Sequence, residues 1–146
     1  MNRKEFLKSL AIICIGAPSL MVLNQSCSQT KYYANAVFQE DKIIINKSEF
    51  SYILDNKTQT RNQIFINSNK LKFPICIIDK SNGNYEALLM KCTHKGCELN
   101  PAGDFFVCPC HGSEFDNSGI VLSPPANKNL FKFKIENDEE NLYIYY

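Results

Sequence analysis

The sequence lacks any marked excess of charge of one sign, a hydrophobic run long enough to cross a bilayer, and all but two histidines. Its 146 residues carry 16 Lys and Arg against 15 Asp and Glu, a formal charge of +1, which supplies no positive field for a phosphate backbone and excludes nucleic acid as a partner on composition. The longest apolar stretch runs only from Leu10 to Leu23, interrupted by Gly16 and Pro18. That is about 21 Å of helix against the roughly 30 Å of a bilayer core. Repeats and low-complexity tracts are absent too, and helical periodicity is confined to Lys47 to Leu54, where Phe50, Ile53 and Leu54 predict a turn or two of helix. Against these absences stands a 45% hydrophobic content, which excludes a wholly disordered chain, and a length that supports one domain with its own core. The 7 cysteines are many for this length and odd in number, so at least one does something other than pair within the chain.

The N-terminus has the order of an export signal. Arg3, Lys4 and Lys8 precede the apolar stretch, which fits a signal-peptide core better than a spanning helix. Arg3-Lys4-Glu5-Phe6-Leu7-Lys8 resembles a twin-arginine signal with lysine in place of the second arginine, and Leu23-Asn24-Gln25-Ser26-Cys27 resembles a bacterial lipoprotein cleavage box. The expectation is a signal peptide over residues 1–26, removed together with Cys14, and a lipidated Cys27 that tethers the mature chain to a membrane surface on the extracytoplasmic side. A retained short anchor is the main competitor, and plain secretion the third reading. Loss of Arg3, Lys4, Lys8 and Glu5 would turn the formal charge of +1 into −1. Residues 27–36, polar or small and without period, read as a tether.

From residue 37 onward short runs rich in β-branched and aromatic residues are separated by Asn, Asp, Gly and Pro: Ile43 to Ile45, Gln63 to Ile66, Pro74 to Ile78, Glu86 to Met90 and Asp104 to Val107. At the end of the chain Phe131, Phe133 and Ile135 alternate with lysines, and Leu142, Ile144 and Tyr146 alternate with Tyr143 and Tyr145. With Asn137 to Asn141 as the turn, this predicts a hairpin with one buried face. The expected fold is all-β, of antiparallel sheets built from about nine short strands.

Two segments hold four of the cysteines and both histidines: Cys92-Thr93-His94-Lys95-Gly96-Cys97 and Cys108-Pro109-Cys110-His111-Gly112-Ser113. Thiolate and imidazole are the donors for zinc and iron. A single zinc is the simpler reading, but six donors are too many for one tetrahedral ion. The two segments resemble the Rieske iron–sulfur family, whose pattern is Cys-x-His-x-Gly-Cys followed by Cys-x-Cys-His-Gly-Ser, with every defined position matched and the resemblance extending over about residues 37–146. The type it most resembles is the disulfide-containing, respiratory cytochrome bc-like one.

The resemblance implies a Rieske domain over residues 37–146 with two cluster-binding loops. It implies a [2Fe-2S] cluster with Cys92 and Cys108 on one iron and His94 and His111 on the other, and a disulfide between Cys97 and Cys110. Two ferric ions, two sulfides, two thiolates and neutral imidazoles sum to zero charge, so such a centre accepts an electron more readily than one held by four thiolates. A loop of about fifteen residues closed by a disulfide is worth roughly 3 kcal/mol in a free chain, less where a cluster already ties the same loops, and the bridge requires an oxidising compartment. Ser113 is a candidate hydrogen-bond donor to a cluster sulfur, with a simple turn cap as the alternative. Phe115 stands where high-potential respiratory members place a tyrosine, which predicts a lower potential and a low-potential partner such as a menaquinol-linked chain. Ser123-Pro124-Pro125 resembles the proline loop that covers the cluster. Lys95 replaces the apolar residue of quinol-docking members, and Cys76, between Ile75 and Ile77, reads as a buried strand residue.

The function implied is a single-electron carrier, membrane-tethered through the N-terminal lipid or anchor. Its partners are redox proteins, quinol-oxidising or cytochrome-type, and it is without activity alone unless as the electron-transfer subunit of an oxidoreductase complex. A Rieske oxygenase needs two more histidines and a carboxylate for a mononuclear iron, and this sequence has only His94 and His111. A soluble Rieske ferredoxin feeding an oxygenase is the alternative, though such ferredoxins generally lack the two extra cysteines and an export signal.

Overall fold

The computed structural model describes residues 30–68 and 70–146. The leader, Cys14 and Cys27 lie outside the described residues. Among the described residues the one helical element, a 3-10 turn at Lys47–Phe50, is set among thirteen short strands. These are β1 (Val37–Phe38), β2 (Lys42–Asn46), β3 (Ser51–Leu54), β4 (Lys57–Thr60), β5 (Gln63–Ile66), β6 (Ile75–Asp79), β7 (Tyr85–Leu89), β8 (Asn100–Pro101), β9 (Phe105–Val107), β10 (Glu114–Asp116), β11 (Val121–Ser123), β12 (Lys132–Asn137) and β13 (Asn141–Tyr145). They form a seven-stranded sheet in the order β1-β2-β13-β12-β7-β6-β5, a four-stranded sheet β11-β10-β9-β8 and the hairpin β3-β4, with every strand pair antiparallel.

The strands β5, β6 and β7 explain why their sequences are apolar without a break. Side chains alternate across a strand, and here both faces are covered. Ile64, Ile66, Ile75, Ile77 and Ala87 point into one core with Ile43, Ile45, Leu142 and Ile144. Phe65, Cys76, Ile78 and Leu88 point into a second core with Leu99, Phe106 and Phe115. Cys92 and Cys108 belong to the second core, so the face of β5, β6 and β7 that carries Phe65, Cys76, Ile78 and Leu88 is the floor beneath the two cysteine–histidine segments. Cys76 is fully buried there, as a strand residue, and burial pushes its thiol well above the usual range.

Four expectations are corrected. The turn of helix at Lys47 stops at Phe50 and gives way to a strand: Asn46 caps it by accepting the Ser48 N–H at 2.9 Å, and Asp55 and Asn56, with φ of 50° and 58°, make the tight turn that folds β3 onto β4. Ile53 is therefore 78% exposed rather than on a helix face. Phe131 is 60% exposed, since it precedes β12: its carbonyl accepts the Leu89 N–H at 3.0 Å and its ring meets Phe133 edge to face at 5.0 Å, while Phe133 carries the burial expected of the pair. The strand count rises from nine to thirteen because two- and three-residue strands such as β1, β8 and β11 carry no period to read. Residues 32–36, expected in the tether, are joined to the domain: Tyr33 bridges Phe65 in parallel, the Ala34 N–H donates to the Phe65 carbonyl, and Tyr32, Ala34 and Ala36 pack on the first core.

The two sheets meet at a turn with no room to spare. Gly119 has φ +72°, its carbonyl accepts the Leu130 N–H at 2.8 Å, and a Cβ there would lie 3.1 Å from both Leu130 Cβ and Leu88 Cδ2. Gly119→Ala is expected to lose about 1–3 kcal/mol of stability through backbone strain and overpacking; denaturant unfolding checks this, and an unchanged midpoint would contradict it.

Candidate metal centre

The two cysteine–histidine segments are the same turn built twice. In the loop between β7 and β8, the Cys92 N–H donates to the Cys97 carbonyl at 2.8 Å and the Gly96 N–H to the Cys92 carbonyl at 2.9 Å. In the loop between β9 and β10, the Cys108 N–H donates to the Ser113 carbonyl at 2.8 Å and the Gly112 N–H to the Cys108 carbonyl at 2.9 Å. Each turn needs one left-handed residue, and Gly96 and Gly112 both have φ +76°. The glycines the two segments share are thus required by the backbone rather than by the chemistry.

This repetition sorts the side chains by depth. The leading cysteine of each turn, Cys92 and Cys108, is buried with a free thiol. The histidines lie outside them and exposed, with the rings of His94 and His111 edge to face at 5.0 Å between centroids. The remaining pair, Cys97 and Cys110, is a disulfide of 2.03 Å spanning a sequence separation of 13. The sulfur of Cys108 lies within 4.8 Å of both bridged sulfurs, but a disulfide offers no thiolate, so these three cysteines are not a ligand set.

Burial pushes the Cys92 thiol up; the backbone N–H groups of His94 and Lys95 pull it down, and the neighbouring Cys108 sulfur pushes it up again. Two adjacent thiols in an apolar core cannot both ionise without a cation between them, and thiolate is the form that binds metal. Two buried sulfurs with two imidazoles above them therefore fit an iron–sulfur centre of mixed ligation. They fit a single zinc equally by donor count, but that reading leaves the duplicated turn and its bridge without a role.

The surrounding loop is tied down from both sides. Ser113, fully buried, accepts the Ala126 N–H at 2.9 Å, and the Thr93 hydroxyl donates to the Lys128 carbonyl at 2.6 Å. Pro124 and Pro125, exposed and joined by a cis peptide bond, immediately precede the first of these anchors. Because the Ser113 oxygen accepts from Ala126, its proton is left to donate elsewhere. Phe115, fully buried on β10 opposite Phe106, presents a ring and no hydroxyl to the same core. Thr93, Ala126 and Lys128 were not marked by the sequence, because each acts through a contact with a distant segment. A second hollow, of about 350 Å³ around Arg61, Tyr32 and Tyr52, contains no residue of either turn.

Ser113→Ala would leave the Ala126 N–H buried without an acceptor, and is expected to lose about 1–3 kcal/mol and to loosen the proline loop. Hydrogen exchange at Ala126 is the readout, and unchanged protection there would contradict the assignment.

A family model for the Rieske [2Fe-2S] domain matches residues 51–134. The chain is 35% identical over 68 residues to the cytochrome b6-f complex iron-sulfur subunit of Prochlorococcus marinus, a match covering 45% of this chain and 38% of that one. It is 44% identical over 54 residues to the same subunit of a Cyanothece species, covering 36% and 30%. The matched region is thus less than half the length of these curated relatives. Among solved structures, a plasma membrane Rieske protein of the cyanobacterium Synechocystis superposes with a TM-score of 0.50 at 32% identity, over 57% of this chain and 85% of that one. A quaternary ammonium Rieske monooxygenase shares the fold at a TM-score of 0.52 and 14% identity, over 81% of this chain and 34% of that one. With its duplicated turn, its buried thiols and a family match over more than half its length, the chain belongs to the Rieske [2Fe-2S] domain family.

Proposed function

We propose that the chain is a single-electron carrier whose [2Fe-2S] cluster is held by Cys92 and Cys108 on one iron and His94 and His111 on the other. The observation that carries the reading is the sorting by depth: paired free thiols in the core, paired imidazoles at the surface, on two turns of one design joined by a disulfide. When bound, such a cluster takes up and releases one electron at a potential raised by its histidine ligands. The residues of the chain do the rest. Exposed His94 and His111 bring the site's edge within reach of a partner. The disulfide and the proline loop keep water from the thiols. Ser113 supplies a hydroxyl proton toward the site, and Phe115 withholds one. The chain works as an electron-transfer subunit or carrier beside an oxidoreductase.

The Cys97–Cys110 bridge favours an oxidising compartment, and with the leader this supports a domain facing the extracytoplasmic side, tethered to the membrane by a lipid on Cys27 or by a retained leader. The same bridge argues against the soluble ferredoxin alternative. No helix among the described residues is long and apolar enough to cross a membrane.

Redox titration of the purified chain, followed by electron paramagnetic resonance, tests the carrier reading. A reversible one-electron step with a signal of low average g in the reduced state is expected, and Phe115→Tyr should raise the midpoint. A colourless protein holding one zinc would contradict the reading, and an unmoved or lower midpoint in the variant would contradict the role of Phe115. For the tether, mass spectrometry of the membrane-extracted chain should find an acylated Cys27 at the N-terminus, whereas an intact Met1 or an unmodified Cys27 would exclude the lipid.

A further inference from the structure

We propose that the redox partner of this site presents an acidic protein face, received by a lysine-rimmed cleft beside His94; the proposal rests on the carrier reading. The cleft, of about 590 Å³, is bounded by Lys91, Thr93, His94, Lys95, Lys128 and Phe131, and no carboxylate lines it. Its cations are uncompensated. The ion pairs among the described residues are Lys31–Glu98, Lys80–Glu86, Lys132–Glu86 and Lys134–Glu136, and none employs Lys91, Lys95 or Lys128. Glu98, the acid nearest in sequence to the first turn, is held by Lys31 at 2.5 Å. All three lysines are exposed, Lys91 with its ammonium 5.7 Å from the Phe73 ring centre, and so is Phe131, whose ring gives the charged rim an apolar anchor.

The rest of the domain gives this charge a direction. Strand β12 leaves the cleft at Lys132 and ends at Asn137, and the turn that follows carries Asp138, Glu139 and Glu140, all exposed and none in an ion pair with a lysine side chain. At about 3.4 Å per residue Asp138 stands roughly 20 Å along the strand from Lys132. The exposed imidazoles thus sit among three lysines with no carboxylate lining their cleft, while the acids of the β12–β13 turn lie a strand's length away, with Lys47 beside them. Such an arrangement turns the imidazoles toward an acidic surface during encounter and away from a basic one. Seating an apolar quinone ring there instead would strip water from the Lys95 ammonium with no carboxylate to receive it.

The test is stopped-flow electron exchange of the full chain, loaded with its cluster, against cytochrome b5 as an acidic redox protein and cytochrome c as a basic one. Exchange with cytochrome b5 is expected to fall about tenfold from low to high salt. The double variant Lys91→Gln, Lys128→Gln should lower the low-salt rate by about tenfold, with the resonance signal and midpoint unchanged. Adding Lys95→Gln should lower it further, and Lys57→Gln on the distant hairpin should have no effect. A rate independent of salt, a variant as fast as the parent, or faster exchange with cytochrome c at low salt would overturn the proposal. So would binding to phosphatidylglycerol vesicles that the double variant loses while its cytochrome b5 rate stays unchanged, since that would assign the lysines to a membrane. A preparation without the reduced-state signal would overturn the carrier reading itself, and the docking surface with it.

Discussion

Two thiols side by side in an apolar core are the constraint around which this molecule is arranged. Cys92 and Cys108 come from loops on different strand pairs, and nothing in an uncharged core would hold their sulfurs together if either were to ionise alone. Each loop is therefore fixed by its own backbone hydrogen bonds, and the two are fixed to each other by the Cys97–Cys110 bond. Phe65, Cys76, Ile78 and Leu88 of β5, β6 and β7 lie beneath the site, and the segment that follows the prolines is tied to the two turns by Ser113 and Thr93. The imidazoles are left at the surface.

That layering links the chemistry to the fold. A carrier must shield its centre from water yet leave an edge within reach of a partner, and here the division falls along the residue types themselves: sulfur inside, imidazole outside. The lysines around His94 extend the same logic outward, since the cleft beside that imidazole is lined by Lys91, Lys95 and Lys128 and by no carboxylate. The N-terminal segment contributes as well, because Lys31 holds Glu98 beside the first turn while Tyr32 to Ala36 lie along the domain. The first of the described residues are therefore in contact with the segment beside the site.

The site was legible in the sequence because its ligands sit in two short segments, where spacing alone carries the pattern, and the hairpin of β12 and β13 was legible because its residues alternate. Strands β5, β6 and β7 were found by composition, although their two-faced burial could not be seen until the cores on either side were known. What escaped were features set by distant partners. Phe131 has the alternation of a buried residue but lies one step before its strand begins. Phe50, Ile53 and Leu54 have helical spacing, yet the Asp55-Asn56 turn draws Ser51 to Leu54 into a hairpin. Residues 32–36 have no period because they pair in a single parallel bridge rather than in a sheet. The cleft lysines read as solvated side chains, and only their shared position beside His94, without an acid among them, gives them meaning.

The central claim is that the two turns make one centre of mixed ligation, with both imidazoles bound to metal. Pulsed electron paramagnetic resonance of the reduced protein, labelled with ¹⁵N-histidine, tests it most directly. The account requires couplings from two ring nitrogens, reduced to one in His94→Cys or His111→Cys protein that retains a cluster. A reduced centre with no histidine nitrogen coupling, or with a single one in the parent chain, would contradict it.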